Sequence, residues 1–419
     1  MATRVAVLGM GYVGLPLAQQ AVRAGFHVTG LDINDRIVDG LNTGHSHIDD
    51  LRHADVAAML GSGFRATTKP AVLADADVAV VCVPTPLAES GAPDLTAVEG
   101  AVSMIAEHLH PGMLVVLEST TYPGTTEEFV QPQLERNGLR AGSDFALAFS
   151  PERIDPGNSH YGMHNTPKVV GGVSTQCADR AVEFYSRIVE TVVRARGTRE
   201  AEMAKLLENT YRHVNIALVN EMARFCHELG VDLGDVIRCA GTKPFGFQAF
   251  YPGPGVGGHC IPIDPNYLSH RVKSKLGYPF RFVELAQEIN TAMPAYVSRR
   301  LQDELNARGK PVNGAEVLLL GVTYKRDIAD DRESPARPLA RHLLELGAEV
   351  SFHDPLIDKW RVGDHLFACA GDLDAAVRRA DITVLLQDHS CYDLQHVASV
   401  AKCLFDTRGV VRLPSVPAL

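Results

Sequence analysis

Residues 4–14 read RVAVLGMGYVG, and an aspartate, Asp32, closes the next apolar run, HVTGLD. A strand-length apolar run, a turn with glycines at G-x-G-x-x-G spacing and a helical segment from Leu15 to Ala24 together specify a βαβ unit, and hence a parallel sheet. In the turn Gly9-Met10-Gly11-Tyr12-Val13-Gly14, the glycines allow the chain to fold back tightly and a ligand to approach the backbone. The helix that follows turns its N-terminal N–H groups toward a pyrophosphate. Asp32 stands where a carboxylate accepts hydrogen bonds from the adenosine ribose and would repel a 2′-phosphate. The reading is a dinucleotide site that favours NAD over NADP.

The same alternation continues. DVAVVCVP, MLVVLEST, FALAFS, KVVGGV and TVVRA are further apolar runs of strand length, many of them separated by segments of helix length such as Leu95–His108. Continuous apolar strands interleaved with helices predict a doubly wound parallel sheet covered on both faces. From Arg199 to Leu229 the texture changes to one long helix without Pro or Gly, with Met203, Leu206, Leu207, Val214, Leu218, Met222 and Phe225 along a broad apolar stripe. A second helical segment is expected over 281–305, and GKPVNG (309–314) reads as a linker. Beyond it, EVLLLGVTYK, a helix over 335–346, EVSFHDP, DAAVRRADITVLLQDH and KCLFDTRG predict a second, smaller Rossmann-like α/β unit.

At 419 residues the chain is too long for one core. Its 46% hydrophobic and 21% charged content describe a globular protein. A net charge of −10 argues against a nucleic-acid partner or an anionic membrane surface. Eight scattered cysteines without a CxxC pair fit a reducing cytosol. No signal peptide and no bilayer-spanning run is read, so a cytoplasmic location is expected. The seventeen histidines form no metal-binding pattern, and no metal is expected.

Four features carry chemistry. FYPGPGVGGHCIPIDPNYL (250–268) puts four glycines and two prolines before Cys260, with Asp264 four residues later. If Cys260 opens a helix, the thiolate is stabilised there and Asp264 lies on the same face; a tight turn around a buried cysteine is the alternative. On the long helix, Lys205 and Asn209 lie four residues apart, with Arg212 extending the line, and the apolar flanks favour an inward polar face over a solvated one. The strand-end loops Val83-Pro84-Thr85-Pro86, Ser119-Thr120-Thr121-Tyr122-Pro123-Gly124 and Ser150-Pro151-Glu152-Arg153 converge in a doubly wound sheet on the nicotinamide side of the crevice. The second α/β unit has no G-x-G-x-x-G, and its basic loop Gly321–Asp327, with Arg332 beyond, could grip the phosphates of a nucleotide.

Jointly and in order, GMGYVG with Asp32, CVPTP, STTYPGTT, SPERIDPGN, AKLLENTYR, GGHCIPIDP and GVTYKRDIADDRESP resemble the UDP-glucose/GDP-mannose dehydrogenase family over nearly the whole chain. The resemblance implies an NAD-binding Rossmann domain over 1–196, a central helical domain over 197–308 that dimerises and bears the catalytic cysteine, and a nucleotide-sugar-binding domain over 309–419. It implies oxidation of the C6 hydroxymethyl of a nucleotide sugar to a carboxylate with two NAD in turn. By motif, Cys260 is the nucleophile, Asp264 its companion acid, Lys205 and Asn209 the polar pair, Thr121 the hydroxyl that helps hold a catalytic water, and Glu152 the carboxylate of the S-P-E block. Pro84, Thr85, Thr121 and Arg332 join the glycine turn as cofactor contacts. Arg153, Tyr251, Gly257, His259, Lys325 and Arg408 join Glu152, Lys205 and Asn209 around the substrate, and Arg408 can serve a neighbouring subunit in the family. His259, Pro262-Ile263 and the Arg153–Gly157 segment depart from the UDP-glucose pattern and resemble the branch acting on UDP-N-acetylhexosamines, with UDP-glucose as the runner-up.

The chemistry needs such a set. Removing a hydride from C6 requires loss of the hydroxyl proton, here to a water held by Thr121 and Asp264 beside Lys205, and Lys205 can stabilise the developing alkoxide. Cys260 would trap the aldehyde as a thiohemiacetal and then a thioester, with Glu152 the base for its hydrolysis and the backbone of 253–258 with Lys325 holding the diphosphate. One of Phe245, Phe247, Phe250 or Tyr251 is expected to pack on the sugar or base. Two other readings compete: a β-hydroxyacid dehydrogenase, which gives no reason for Cys260 or the second α/β unit, and a non-catalytic sensor of NAD or a nucleotide sugar, which has no need of the thiol. The apolar surface of the long helix predicts a homodimer or an assembly of dimers.

Overall fold

The computed structural model describes residues 3–48, 51–88, 92–155, 157–158, 160–258 and 261–419. The chain separates into two compact units, Met1–Glu208 with Asn266–Tyr278, and Asn209–Pro265 with Pro279–Leu419.

The first unit holds an eight-stranded sheet of β1 (Arg4–Leu8), β2 (His27–Leu31), β3 (Arg65–Thr67), β4 (Val78–Val81), β5 (Leu114–Leu117), β6 (Ala146–Phe149), β7 (Lys168–Gly172) and β8 (Val192–Arg194), in the order β3-β2-β1-β4-β5-β6-β7-β8. Strands β1 to β6 are parallel; β7 runs antiparallel to β6, and β8 follows β7. The all-apolar central strands are buried on both faces. Val5, Val7, Val78, Val80, Leu114 and Val116 pack into one core cluster, while Ala6, Leu8, Ala79, Val81, Val115 and Leu117 pack into another. Because the register pairs Leu8 with Leu31 and Val81, and Val81 with Leu117, the six parallel strands end along one edge. Strand order reverses between β1 and β4, the place where such sheets open a ligand crevice.

The long helix runs Thr198–Leu229 and stops at Gly230, whose φ of +66° is the left-handed conformation that ends helices. The boundary between the two compact units falls within it, between Glu208 and Asn209. Of the two readings of the glycine-rich stretch, a helix opened by Cys260 or a tight turn, the described residues 261–263 form a turn, and the helix begins at Asp264 (Asp264–Leu276) with Pro265 in its first turn. Helix Arg281–Ala307 has Pro294 in its interior, which deprives the Asn290 carbonyl of its helical donor.

In the second unit, β9 (Glu316–Leu320), β10 (Glu349–His353), β13 (Ile382–Leu385) and β14 (Leu404–Asp406) form a parallel sheet ordered β10-β9-β13-β14. A separate hairpin of β11 (Lys359–Val362) and β12 (His365–Ala368) carries the buried Trp360. Along β9, Val317 and Leu319 enter one core cluster and Leu318 and Leu320 another, as a strand covered on both faces requires. Among the described residues, no helix is long and apolar enough to cross a membrane.

Candidate active site

The dinucleotide turn forms where β1 meets β4. Gly9 has φ +91°, and a Cβ there would lie 2.7 Å from the Cys82 carbonyl oxygen. A Cβ at Gly14 would collide with the Gly9 carbonyl oxygen. Gly11 differs, since a Cβ on it would meet nothing within 4 Å. Packing therefore dictates the first and third glycines, and close approach of a ligand is the remaining reason for the second. The helix after the turn, Gly14–Arg23, has no side-chain cap hydrogen bond at Val13, so no cap side chain occupies its N-terminal N–H groups. Half-buried Asp32 accepts from Met10 N and Asn34 N, both at 2.9 Å, which ties the end of β2 to the turn and leaves carboxylate lone pairs over. These residues fit NAD. Pro84 is exposed, and the carbonyls of buried Thr85 and of Pro86 accept from the Tyr267 hydroxyl.

Further along the same edge lies a buried polar cluster. Glu118, at the end of β5, is ion-paired with Lys168 at 2.8 Å and accepts from the Tyr185 hydroxyl. Lys168 also donates to the Pro151 carbonyl at 3.3 Å, the residue next to Glu152. Lys205 Nζ stands 3.7 Å from Glu152 Oε2, and both side chains are nearly buried. Burial pushes the Glu152 carboxyl up from its ordinary value, and Lys205 opposes that shift. Glu152 also accepts from Ile154 N. Thr121 is fully buried, and its hydroxyl has no partner among the described residues. Buried hydroxyls are rarely left so, and a group supplied from outside the chain would satisfy this one. Arg153 is held by Glu208 at 2.7 Å and by the Pro167 carbonyl at 2.7 Å.

In the second unit, Asn209 Nδ2 donates to Asp264 Oδ2 at 2.6 Å, both side chains buried. Arg212, which extends the line in sequence, is exposed. His259 and Cys260 lie outside the described residues. The glycines before them pack against the chain itself. A Cβ on Gly257 would lie 2.7 Å from the Glu333 carbonyl oxygen, and one on Gly258 2.7 Å from the Tyr324 ring. A Cβ on Gly255 would press on Pro335 and on the Asn290 carbonyl that Pro294 leaves without its helical donor. Two N–H groups of the stretch serve internal bonds, Gly253 N to Asn220 Oδ1 at 2.9 Å and Gly258 N to the Arg332 carbonyl at 3.1 Å. The expectation that the backbone of 253–258 is open to a diphosphate is narrowed accordingly. A Cβ on Gly253 would meet the Arg408 guanidinium at 2.7 Å, which puts Arg408 beside this stretch of its own chain.

Asn220 continues inward, donating to Asn290 at 2.9 Å, and Asn290 donates to the His213 Nδ1 at 3.4 Å. Burial lowers His213 to about 4, so it is neutral at ordinary pH. Lys325 lies on the loop after β9, and Arg332 is ion-paired with Asp330 at 2.6 Å. That loop is fastened by Asp354 at the end of β10, which accepts from Val322 N at 2.7 Å, while His389 Nε2 stands 3.2 Å from the same oxygen. Tyr251, Phe245 and Phe247 are exposed, whereas Phe250 packs edge-on to Tyr211. Among the described residues, no group of His, Cys, Asp or Glu could hold a metal ion.

The sequence reading missed Glu118–Lys168, Asn220–Asn290–His213, Asp354–His389 and Glu202. Each joins residues far apart in the chain, and the available signal was a charged or amide side chain inside an apolar run.

Three family models match in order: the NAD binding domain of the UDP-glucose/GDP-mannose dehydrogenase family over residues 3–189, its central domain over 199–292 and its UDP binding domain over 318–413. The chain is 34% identical over 422 residues to a UDP-N-acetyl-D-mannosamine dehydrogenase of Pyrococcus horikoshii, covering 99% of this chain and 97% of that one. It is 38% identical over 357 residues to a UDP-N-acetyl-D-glucosamine 6-dehydrogenase of Pseudomonas aeruginosa, covering 84% and 83%. A solved UDP-D-ManNAc dehydrogenase structure from Pyrococcus horikoshii superposes with a TM-score of 0.90 at 33% identity, covering 99% of both chains.

Proposed function

This chain belongs to the UDP-glucose/GDP-mannose dehydrogenase family and is an NAD-dependent UDP-sugar dehydrogenase, and we propose that it oxidises the C6 hydroxymethyl of a UDP-N-acetylhexosamine to the carboxylate. The observation that carries the proposal is the nearly buried Lys205 ammonium beside the Glu152 carboxylate, in a chain that also retains Cys260, Asn209 and Asp264. NAD, bound at the glycine turn and Asp32, supplies the two-electron acceptor for each of two oxidations. Over the full reaction, the alcohol, two NAD+ and one water give the carboxylate, two NADH and three protons.

The chain's own groups supply the rest. The Lys205 ammonium stabilises negative charge developing on the C6 oxygen, where a charged donor in a dry site is most effective. The Thr121 hydroxyl offers a hydrogen bond to the water that takes the hydroxyl proton. The Cys260 thiolate adds to the aldehyde carbon to give a thiohemiacetal, and its oxidation gives a thioester, so the aldehyde stays bound. Glu152, its carboxyl raised by burial, is a stronger base than an ordinary glutamate and takes a proton from the water that releases the acid and restores the thiol. Asp264 receives the Asn209 amide and keeps a fixed orientation near the end of the glycine-rich stretch. Lys325 and Arg408 bind the UDP moiety.

A homodimer or larger homo-oligomer is proposed with it. Leu207, Leu218, Phe225 and Leu229 are exposed on the long helix, and exposed apolar side chains at this density mark association surfaces.

The test is NADH produced per sugar consumed, with UDP-GlcNAc, UDP-ManNAc and UDP-glucose at fixed NAD. Two NADH with an N-acetylhexosamine and little turnover of UDP-glucose is the expected result. Two NADH with UDP-glucose alone would move the substrate to the runner-up, and one NADH per sugar would remove Cys260 from its role. Cys260→Ser is expected to abolish net acid formation while UDP-sugar binding survives.

A further inference from the structure

Glu202 lies three residues before Lys205 on the long helix and is completely buried. Its carboxylate receives three hydrogen bonds from one short turn: Gly124 N at 2.5 Å, Thr126 N at 2.9 Å and the Thr126 hydroxyl at 2.7 Å. Among the described residues it has no ion-pair partner. A buried carboxylate surrounded by donors and lacking a cation is a demanding arrangement, since desolvation must be offset by hydrogen bonds alone.

The turn it holds is the one that follows Thr121. On the strand side, Ser119 N and its hydroxyl bond to the Val81 and Val83 carbonyls. On the far side, Gly124 adopts φ +97°, and Thr125 closes the turn onto the Tyr122 carbonyl through its N–H and hydroxyl. Thr121 is thus suspended between the end of β5 and the three bonds to Glu202. The neighbouring acids serve other partners: Glu127 is engaged by Thr198 and Arg199, and Glu128 by Arg199, Arg271 and Lys275. Every one of these groups belongs to the first compact unit.

We propose that Glu202 is a positioning residue of this dehydrogenase, its carboxylate locking the turn 121–126 to the helical turn that carries Lys205, so that the Thr121 hydroxyl and the Lys205 ammonium keep one register. The inference rests on the reading that Thr121 and Lys205 serve the reaction. The ionised carboxylate accepts all three hydrogen bonds, whereas a protonated one would either reverse the bond to the Thr126 hydroxyl, which can accept, or set its proton against a backbone N–H, which cannot. Burial raises Glu202 to about 7, with Glu127 adding to the shift. Below that pH the grip weakens, and kcat falls with it.

The experiment compares Glu202→Gln, Thr126→Ala, Thr126→Ser and Thr121→Val in the full chain, reading kcat, both KM values and the pH profile of kcat. Glu202→Gln is expected to lower kcat by about tenfold or more, as small misplacements of reacting groups do, with KM for NAD and UDP-sugar within about threefold. Its profile is expected to lose the limb near neutral pH. Thr126→Ala removes one of the three bonds and is expected to lower kcat by a smaller factor, while Thr126→Ser restores it. A Glu202→Gln enzyme with unchanged kcat and the same limb overturns the proposal. If Glu202→Gln does not fold, unchanged kcat in Thr126→Ala overturns it instead. Thr121→Val separates the two readings. If it leaves kcat unchanged, the role of Thr121 fails and this inference with it. If it lowers kcat while Glu202→Gln does not, only the positioning role fails.

Discussion

Lys168 and Glu118 form a pair in which neither side chain reaches solvent, with Tyr185 on one carboxylate oxygen and the Pro151 carbonyl on the ammonium. Removing one member of such a pair strands the other in a dry site. Lys168→Met is therefore expected to destabilise the fold by about 3–5 kcal/mol, and the double variant with Glu118→Gln to recover part of that loss, as read by denaturant unfolding. Glu202 adds a pH dependence with a definite sign. Its carboxyl is raised in the folded state from 4.5 to about 7, so the native chain holds a proton that the unfolded chain releases. That contribution to stability is full below pH 4.5 and lost as pH rises through 7, amounting to about 3 kcal/mol. The stability of the wild type relative to Glu202→Gln should fall across this window and level off above it. None of this could be read in the sequence. Glu202 looks like any acid on a helix, and its burial is created by a turn 78 positions away. Lys205 and Asn209 were legible because their spacing repeats with the helix, and Asp32 because it closes a strand at a motif-fixed distance.

At the scale of elements, the glycines divide by reason. Gly11→Ala meets open space, so the fold should tolerate it while the KM for NAD rises at least about tenfold, a loss of about 1.4 kcal/mol of binding. Gly258→Ala would place a methyl against the Tyr324 ring at a residue with φ +88°, and a loss of about 1–3 kcal/mol of stability is expected in thermal unfolding. From sequence alone both belong to glycine-rich turns near a nucleotide, and only the surrounding atoms separate them. Seven strands of the large sheet were legible as apolar runs. The β3 strand (RAT) and the β11–β12 hairpin (KWRV and HLFA) were not, since polar residues break or flank them and none forms a continuous apolar run that stands out from the loops around it. The start of the helix at Asp264 rather than Cys260 follows from Pro262 and Pro265, which suit a turn followed by a first helical turn.

For the whole molecule, the exposed Leu218 and Phe225 predict association. Light scattering should give at least twice the 45.3 kDa chain mass, and Leu218→Glu with Phe225→Glu should shift it toward the single chain. The two α/β units also place an aspartate alike: Asp32 ends β2 and receives Met10 N, and Asp354 ends β10 and receives Val322 N. The first is half-buried, whereas the second is 2% exposed and covered by His389. An engineer seeking a second adenosine pocket here would have to unseat His389 before redesigning any phosphate loop, and in doing so would release the tether on Lys325.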